Sequence, residues 1–146
     1  MRIYGHGIDV VEISRIQRMI DDHADRFLER CFTPEEKFHG EGGRRYAEHI
    51  AVRFAAKEAA MKALGTGLIG GIAWTDFSVH TEATGKPRLV VAGEAAKLAW
   101  HHGIHEWHVS LSHTESVAMA SVIAVSKKDE SRPQVAQIKT DSNFGL

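Results

Sequence analysis

The run Lys57-Glu58-Ala59-Ala60-Met61-Lys62 holds the acid and base whose spacing most invites chemistry. Glu58 and Lys62 stand four positions apart, so on a helix they share one face. That face also carries Ala51, Phe54, Ala55, Met61 and Gly65. Burying an acid and a base among such residues is costly unless each is paired or used. The plainer reading of the spacing is a Glu-to-Lys pair on a solvated edge, worth about 0.3–0.5 kcal/mol. Asp9 is a second anomaly, a carboxylate inside the apolar run Gly7-Ile8-Asp9-Val10-Val11, flanked by small residues that would let a ligand approach the backbone. A magnesium ion bridging phosphates asks for one or two protein carboxylates and keeps several waters. Asp9 and Glu58 could supply those two, with Lys62 reaching the phosphate oxygens; alternatively, Asp9 ends a strand and caps the next helix. Gly65-Thr66-Gly67 offers backbone amides and a hydroxyl to an anion. It follows a helix C-terminus, where the dipole disfavours phosphate, and a helix cap explains Gly65 without any ligand.

These residues need elements to hold them. Residues 3–11 read as a strand, with Gly5 and Gly7 leaving one face nearly bare. A helix is expected from Ser14 as N-cap towards Phe27, and Thr33-Pro34-Glu35-Glu36 resembles another helix start. The longest helical signal runs from Arg45 to Leu64 and is closed by Gly65. Between Ala47 and Ala63 it has seven alanines and neither glycine nor proline, and its apolar residues do not keep to one stripe. Such a helix is buried on several sides. Strands are expected at Ile72–Thr81 and Pro87–Ala92, then a short helix from Glu94 to His102 ended by Gly103. Strands at Trp107–Ser112 and Val117–Val125 follow, joined through His113-Thr114-Glu115-Ser116. The pattern is α+β: one domain over residues 1–125, with a mostly antiparallel sheet on a long buried helix, and a polar, mobile tail over 126–146.

Composition narrows the function classes. A net charge of -1 over 146 residues argues against a chain built to coat nucleic acid. Cys31 is the single cysteine, so no internal disulfide forms, which fits a reducing compartment. No continuous apolar run suits a signal peptide or a membrane span, and the expected location is cytoplasmic. Among the ten histidines, His101, His102, His105 and His108 cluster, but Gly103 breaks the helix between them and no zinc-ligand spacing is secured.

Four segments carry a resemblance. Gly7-Ile8-Asp9-Val10-Val11-Glu12-Ile13-Ser14-Arg15-Ile16 resembles the N-terminal signature of holo-[acyl-carrier-protein] synthases. Arg53-Phe54-Ala55-Ala56-Lys57-Glu58-Ala59-Ala60-Met61-Lys62-Ala63-Leu64-Gly65-Thr66-Gly67 is similar to their second signature. Gly85-Lys86-Pro87 and Ser110-Leu111-Ser112-His113-Thr114 match two shorter ones in the same order. The resemblance implies the 4'-phosphopantetheinyl transferase fold and a magnesium-dependent transfer of phosphopantetheine from coenzyme A to a serine of apo acyl carrier protein. It implies Asp9 and Glu58 as metal ligands, Lys62 as the lysine at the pyrophosphate, and these three as the catalytic set. Lys62, Gly65, Lys86, Pro87, His113 and Thr114 would bind coenzyme A, while Arg15 and Arg18 would meet the acidic carrier protein. The short class it resembles is homotrimeric, with active sites between subunits. His6 departs from the pattern and lies near Asp9 in sequence. The implied base for the serine proton is Glu58 or a water it orients on the metal. A non-catalytic trimeric module that binds nucleotide or carrier, and a magnesium-dependent pyrophosphate hydrolase, would use the same residues.

Overall fold

A computed structural model describes residues 1–36 and 43–127. Strand β1 (Arg2–Glu12) leads directly into helix α1 (Ile13–Cys31), and a single 3-10 turn at Pro34–Glu36 precedes helix α2 (Arg44–Leu64). A second 3-10 turn at Trp74–Asp76 opens the hairpin β2 (Phe77–Thr81) and β3 (Pro87–Val91). Helix α3 (Gly93–His101) then leads to β4 (Ile104–His113) and β5 (Val117–Ser126). The strands form two antiparallel sheets, one in the order β1-β5-β4 and one of β2 with β3.

Helix α2 lies across the inner face of the larger sheet, and its buried residues, from Ala47 to Leu64, point in every direction around it. The alanines allow this, because a smooth helix can approach neighbours on all sides. Glycines on β1 complete the fit: a Cβ on Gly5 would lie 2.0 Å from the carbonyl oxygen of Ala63. The bare face of β1 therefore receives a helix, where the sequence suggested room for a ligand. The strand alternates accordingly, with Gly7, Asp9 and Val11 buried and His6, Ile8, Val10 and Glu12 exposed. His6 consequently projects from the opposite face to Asp9, with its Nε2 2.9 Å from Ser121 Oγ.

Several element limits move. Helix α1 begins at Ile13, with Glu12 rather than Ser14 at the cap, and continues past Phe27 to Cys31 through a kink at His23. The segment after Thr33 makes only one turn because Glu36 folds inward, its Oε1 accepting the Thr33 amide at 3.1 Å. The expected strand at Ile72–Thr81 is half as long, since Trp74–Asp76 is a turn. Strand β4 starts at Ile104 rather than Trp107, immediately after Gly103 turns the chain at a φ of 72°. Ser126, placed in the tail on composition, is the buried last residue of β5 and pairs with Arg2 and Ile104. The rest of the expected tail, from residue 128, lies outside the described residues. Among the described residues no helix is long and apolar enough to cross a membrane.

Candidate active site

Asp9 and Glu58 meet where β1 crosses α2. Asp9 is on the inner face of the sheet, opposite Ala120 of β5, and only 8% exposed. Its Oδ1 accepts a hydrogen bond from Lys62 Nζ at 3.1 Å, and the same ammonium donates to the Ile8 carbonyl at 2.9 Å. Lys62 thus ties α2 to β1, a role that the four-residue spacing to Glu58 did not reveal. The other oxygen, Asp9 Oδ2, is buried and receives no amide, ammonium or hydroxyl donor, while the Glu58 carboxyl, when protonated, hydrogen-bonds the Asp9 side chain. Burial first, and the neighbouring Asp9 carboxyl second, raise Glu58 to a pKa of about 7, against the opposing charges of Lys62 and Arg15. Two crowded carboxyl groups, one of them holding a proton against the other, form a site whose charge a divalent cation would neutralise in place of that proton. The residues therefore fit magnesium. Among the described residues no group of three or more His, Cys, Asp or Glu could hold a metal, so such an ion would take two protein ligands here and oxygen from elsewhere. The histidines near Gly103 form no such group among the described residues either.

Arg15, half-buried in the first turn of α1, stands close enough for its charge to act on Glu58. Arg18 is exposed one turn later on the same helix. Gly65 ends α2 at a left-handed φ of 86°, its amide donating to the Met61 carbonyl at 2.8 Å. What Gly65 offers a ligand is open space, since nothing lies within 4 Å of where a Cβ would be.

Lys86, Pro87, His113 and Thr114 are not with the acids. His113 borders a cleft of about 290 Å³ that it shares with Arg45, Glu48, His49 and Val52. Thr114 holds the β4–β5 turn, its Oγ1 accepting the amides of Ser116 and Val117 at 3.3 and 3.2 Å. Pro87 pairs with Thr81, whose Oγ1 accepts from Arg53 Nη2 at 3.2 Å, while Arg53 Nη1 donates to the His49 carbonyl at 3.3 Å. Burial, reinforced by the Arg53 charge, lowers the His49 pKa below 6.5. The basic row Arg45, His49 and Arg53 was not singled out in the sequence. Its i, i+4, i+8 spacing was the available signal. At 100° per residue this cleft lies roughly 110° around α2 from Glu58 and Lys62, and Arg45 is about 20 Å along the axis from Glu58. The acids and this cleft thus face different ways on the chain.

Comparison with known proteins matches this arrangement to a family. The model of the 4'-phosphopantetheinyl transferase superfamily matches residues 5–122. A holo-[acyl-carrier-protein] synthase of Koribacter versatilis is 50% identical over 121 residues, which is 83% of this chain and 97% of that protein. Among solved structures, a holo-(acyl-carrier-protein) synthase from Bacillus anthracis in complex with CoA (3',5'-ADP) superposes with a TM-score of 0.71 at 38% identity, covering 86% of this chain and 98% of that one. The holo-[acyl-carrier-protein] synthase of Neisseria meningitidis gives a TM-score of 0.76 at 36% identity, covering 85% and 99%. The chain belongs to the 4'-phosphopantetheinyl transferase superfamily, and within it to the holo-[acyl-carrier-protein] synthases.

Proposed function

We propose that this enzyme transfers 4'-phosphopantetheine from coenzyme A to a serine of apo acyl carrier protein, using Asp9 and Glu58 to hold magnesium. The observation that carries the metal assignment is the buried Asp9 carboxyl, whose Oδ2 has no amide, ammonium or hydroxyl donor, crowded against Glu58. Magnesium, when bound, supplies charge neutralisation at the pyrophosphate. The serine oxygen forms a bond to the β-phosphorus, and the bond from that phosphorus to the bridging oxygen breaks. The electron pair leaves on adenosine 3',5'-bisphosphate, and the serine proton passes to Glu58 directly or through one water. Lys62, 41% exposed and already aimed at Asp9, carries the positive charge that meets the leaving phosphate. Exposed Arg18 and half-buried Arg15 one turn before it mark the face of α1 where an acidic carrier would dock.

The same reading makes the enzyme a closed ring of three copies. Two observations support it. The outer face of the larger sheet exposes Ile8 (50%) and Val10 (57%), with Val10 directly opposite the exposed Met119. A contiguous apolar face of this kind marks an interaction surface. The acids and the cleft, on different faces of α2, would then be joined between copies, with the acids of one facing the cleft of the next. Lys86, Pro87, His113 and Thr114, with Arg45 and His49, would hold the phosphate-bearing nucleotide end, and Gly65 would leave room beside Lys62. Buried Cys31 and the absence of a membrane-spanning helix among the described residues are compatible with work in the cytoplasm.

Incubation with coenzyme A and magnesium, with and without apo carrier, tests the activity. The carrier should gain the mass of phosphopantetheine, with adenosine 3',5'-bisphosphate appearing only when carrier is present. Release without carrier would make the protein a hydrolase, and binding without turnover would make it a non-catalytic module.

A further inference from the structure

A buried ion pair on the side of α2 away from β1 takes no part in the reaction above. Lys57 Nζ lies 2.6 Å from Glu36 Oε1, and both side chains are 0% exposed. The ammonium also donates to the Phe77 carbonyl and, at 3.4 Å, to the Trp74 carbonyl, and it sits 5.1 Å from the centre of the Phe32 ring. Glu36 Oε2 accepts the Val79 amide at 3.0 Å, while Oε1 takes the Thr33 amide at 3.1 Å. The pair therefore joins the 32–36 segment, α2, the Trp74–Asp76 turn and β2 at one point.

The rest of α2 explains why such a joint matters. Its buried surface is largely alanine and surrounds the whole helix, so no single apolar stripe dictates its rotation. One side is seated by the glycines of β1, where a Cβ on Gly7 would lie 1.8 Å from Ala59 O. Lys57 projects roughly 160° away from Ala59 around the axis, on the far side from that seam. Glu58, the next residue, points between the two supports. A side-chain end about 5–6 Å from a helix axis moves about 2 Å for a 20° rotation, more than a reacting geometry tolerates.

We infer that the Glu36–Lys57 ion pair is a positioning device: it sets the rotation of α2 that turns Glu58 towards Asp9. This rests on Asp9 and Glu58 being the metal acids. Glu36 and Lys57 touch neither substrate nor metal and act through Glu58.

The test is the double variant Glu36→Gln with Lys57→Met, which removes both charges together and so leaves neither buried without its partner. The melting temperature should fall, because glutamine cannot accept both the Thr33 and the Val79 amides, so kinetics are measured below the transition and per folded molecule; there KM for coenzyme A and for carrier should stay within about twofold. Turnover should fall about tenfold or more. Calorimetric titration of magnesium into the protein–coenzyme A complex should show affinity weakened by a similar factor. A lower melting temperature with unchanged turnover per folded molecule and unchanged magnesium affinity would overturn the inference, leaving the pair a stability element. If the double variant does not fold, Glu36→Asp keeps the charge of the pair while shortening its reach by one methylene, and should show a smaller loss in the same two quantities; no loss would also overturn the inference. Asp9→Asn is measured alongside. Magnesium binding lost in Asp9→Asn but normal in the pair variant removes only this inference, whereas binding that survives Asp9→Asn removes the metal assignment and this inference together.

Discussion

Gly7 of β1 lies against the backbone of α2 so closely that a Cβ would sit 1.8 Å from the Ala59 carbonyl oxygen. The contact sets the separation between the strand bearing Asp9 and the helix bearing Glu58. Gly7→Ala should force the two apart, since neither backbone can yield as a side chain would. Overpacking of this kind costs up to about 3 kcal/mol or more, so melting should fall by about 10 °C and transfer should fall with it. Thermal melting and an activity assay below the transition check both effects.

Asp9→Ala and Glu58→Ala should each reduce transfer at least about a hundredfold, and their combination should cost little more than either, because groups that act as a unit are strongly non-additive. Lys62→Ala should also lower turnover, while magnesium still binds in the presence of coenzyme A. Intact magnesium-dependent transfer in the double acid variant would end the proposed mechanism.

The acid cluster should make metal-free protein sensitive to pH. Glu58 is raised from 4.5 to about 7, so the folded state holds this proton more tightly than the unfolded chain. That stabilising contribution is complete below about pH 4.5 and is lost as pH rises through about 7. Melting curves of metal-free protein across this window should show a decline that Glu58→Gln flattens. Equal slopes in the two proteins would show that Glu58 does not carry it.

Carrier docking should depend on α1. Arg18→Glu, at an exposed position, should raise KM for the carrier about tenfold and leave coenzyme A affinity nearly unchanged. Added salt should weaken the wild type more than the variant, because exposed attractions are screened.

Removal of residues 128–146 should leave folding and turnover unchanged, since β5 is complete at Ser126 and Lys127 closes onto the Gly103 carbonyl at 3.1 Å. Ending the chain after Val125 should instead lower the melting temperature, because Ser126 is 1% exposed and pairs with strands on both sides. Sedimentation and melting of the two truncations separate these outcomes.

Local chemistry made much of this protein legible in its residues. The alanine-rich composition and the left-handed glycine at its end define α2 to within a residue of Arg45 and Gly65. Alternation marks β5, and the four signature segments bring Asp9, Glu58 and Lys62 forward together. Tertiary structure decided the rest, because it depends on how β1 registers against α2 some fifty positions away. That register gives Lys62 to Asp9 and the Ile8 carbonyl, and it turns the bare glycine face towards a helix. The inward turn of Glu36 onto Lys57 arises in the same way. Nothing in Thr33-Pro34-Glu35-Glu36 favours the second glutamate over the first as the buried one. A charge buried that deeply is tolerable only where a partner and several backbone groups converge, and that convergence exists only once α2, β2 and the 32–36 segment have packed together.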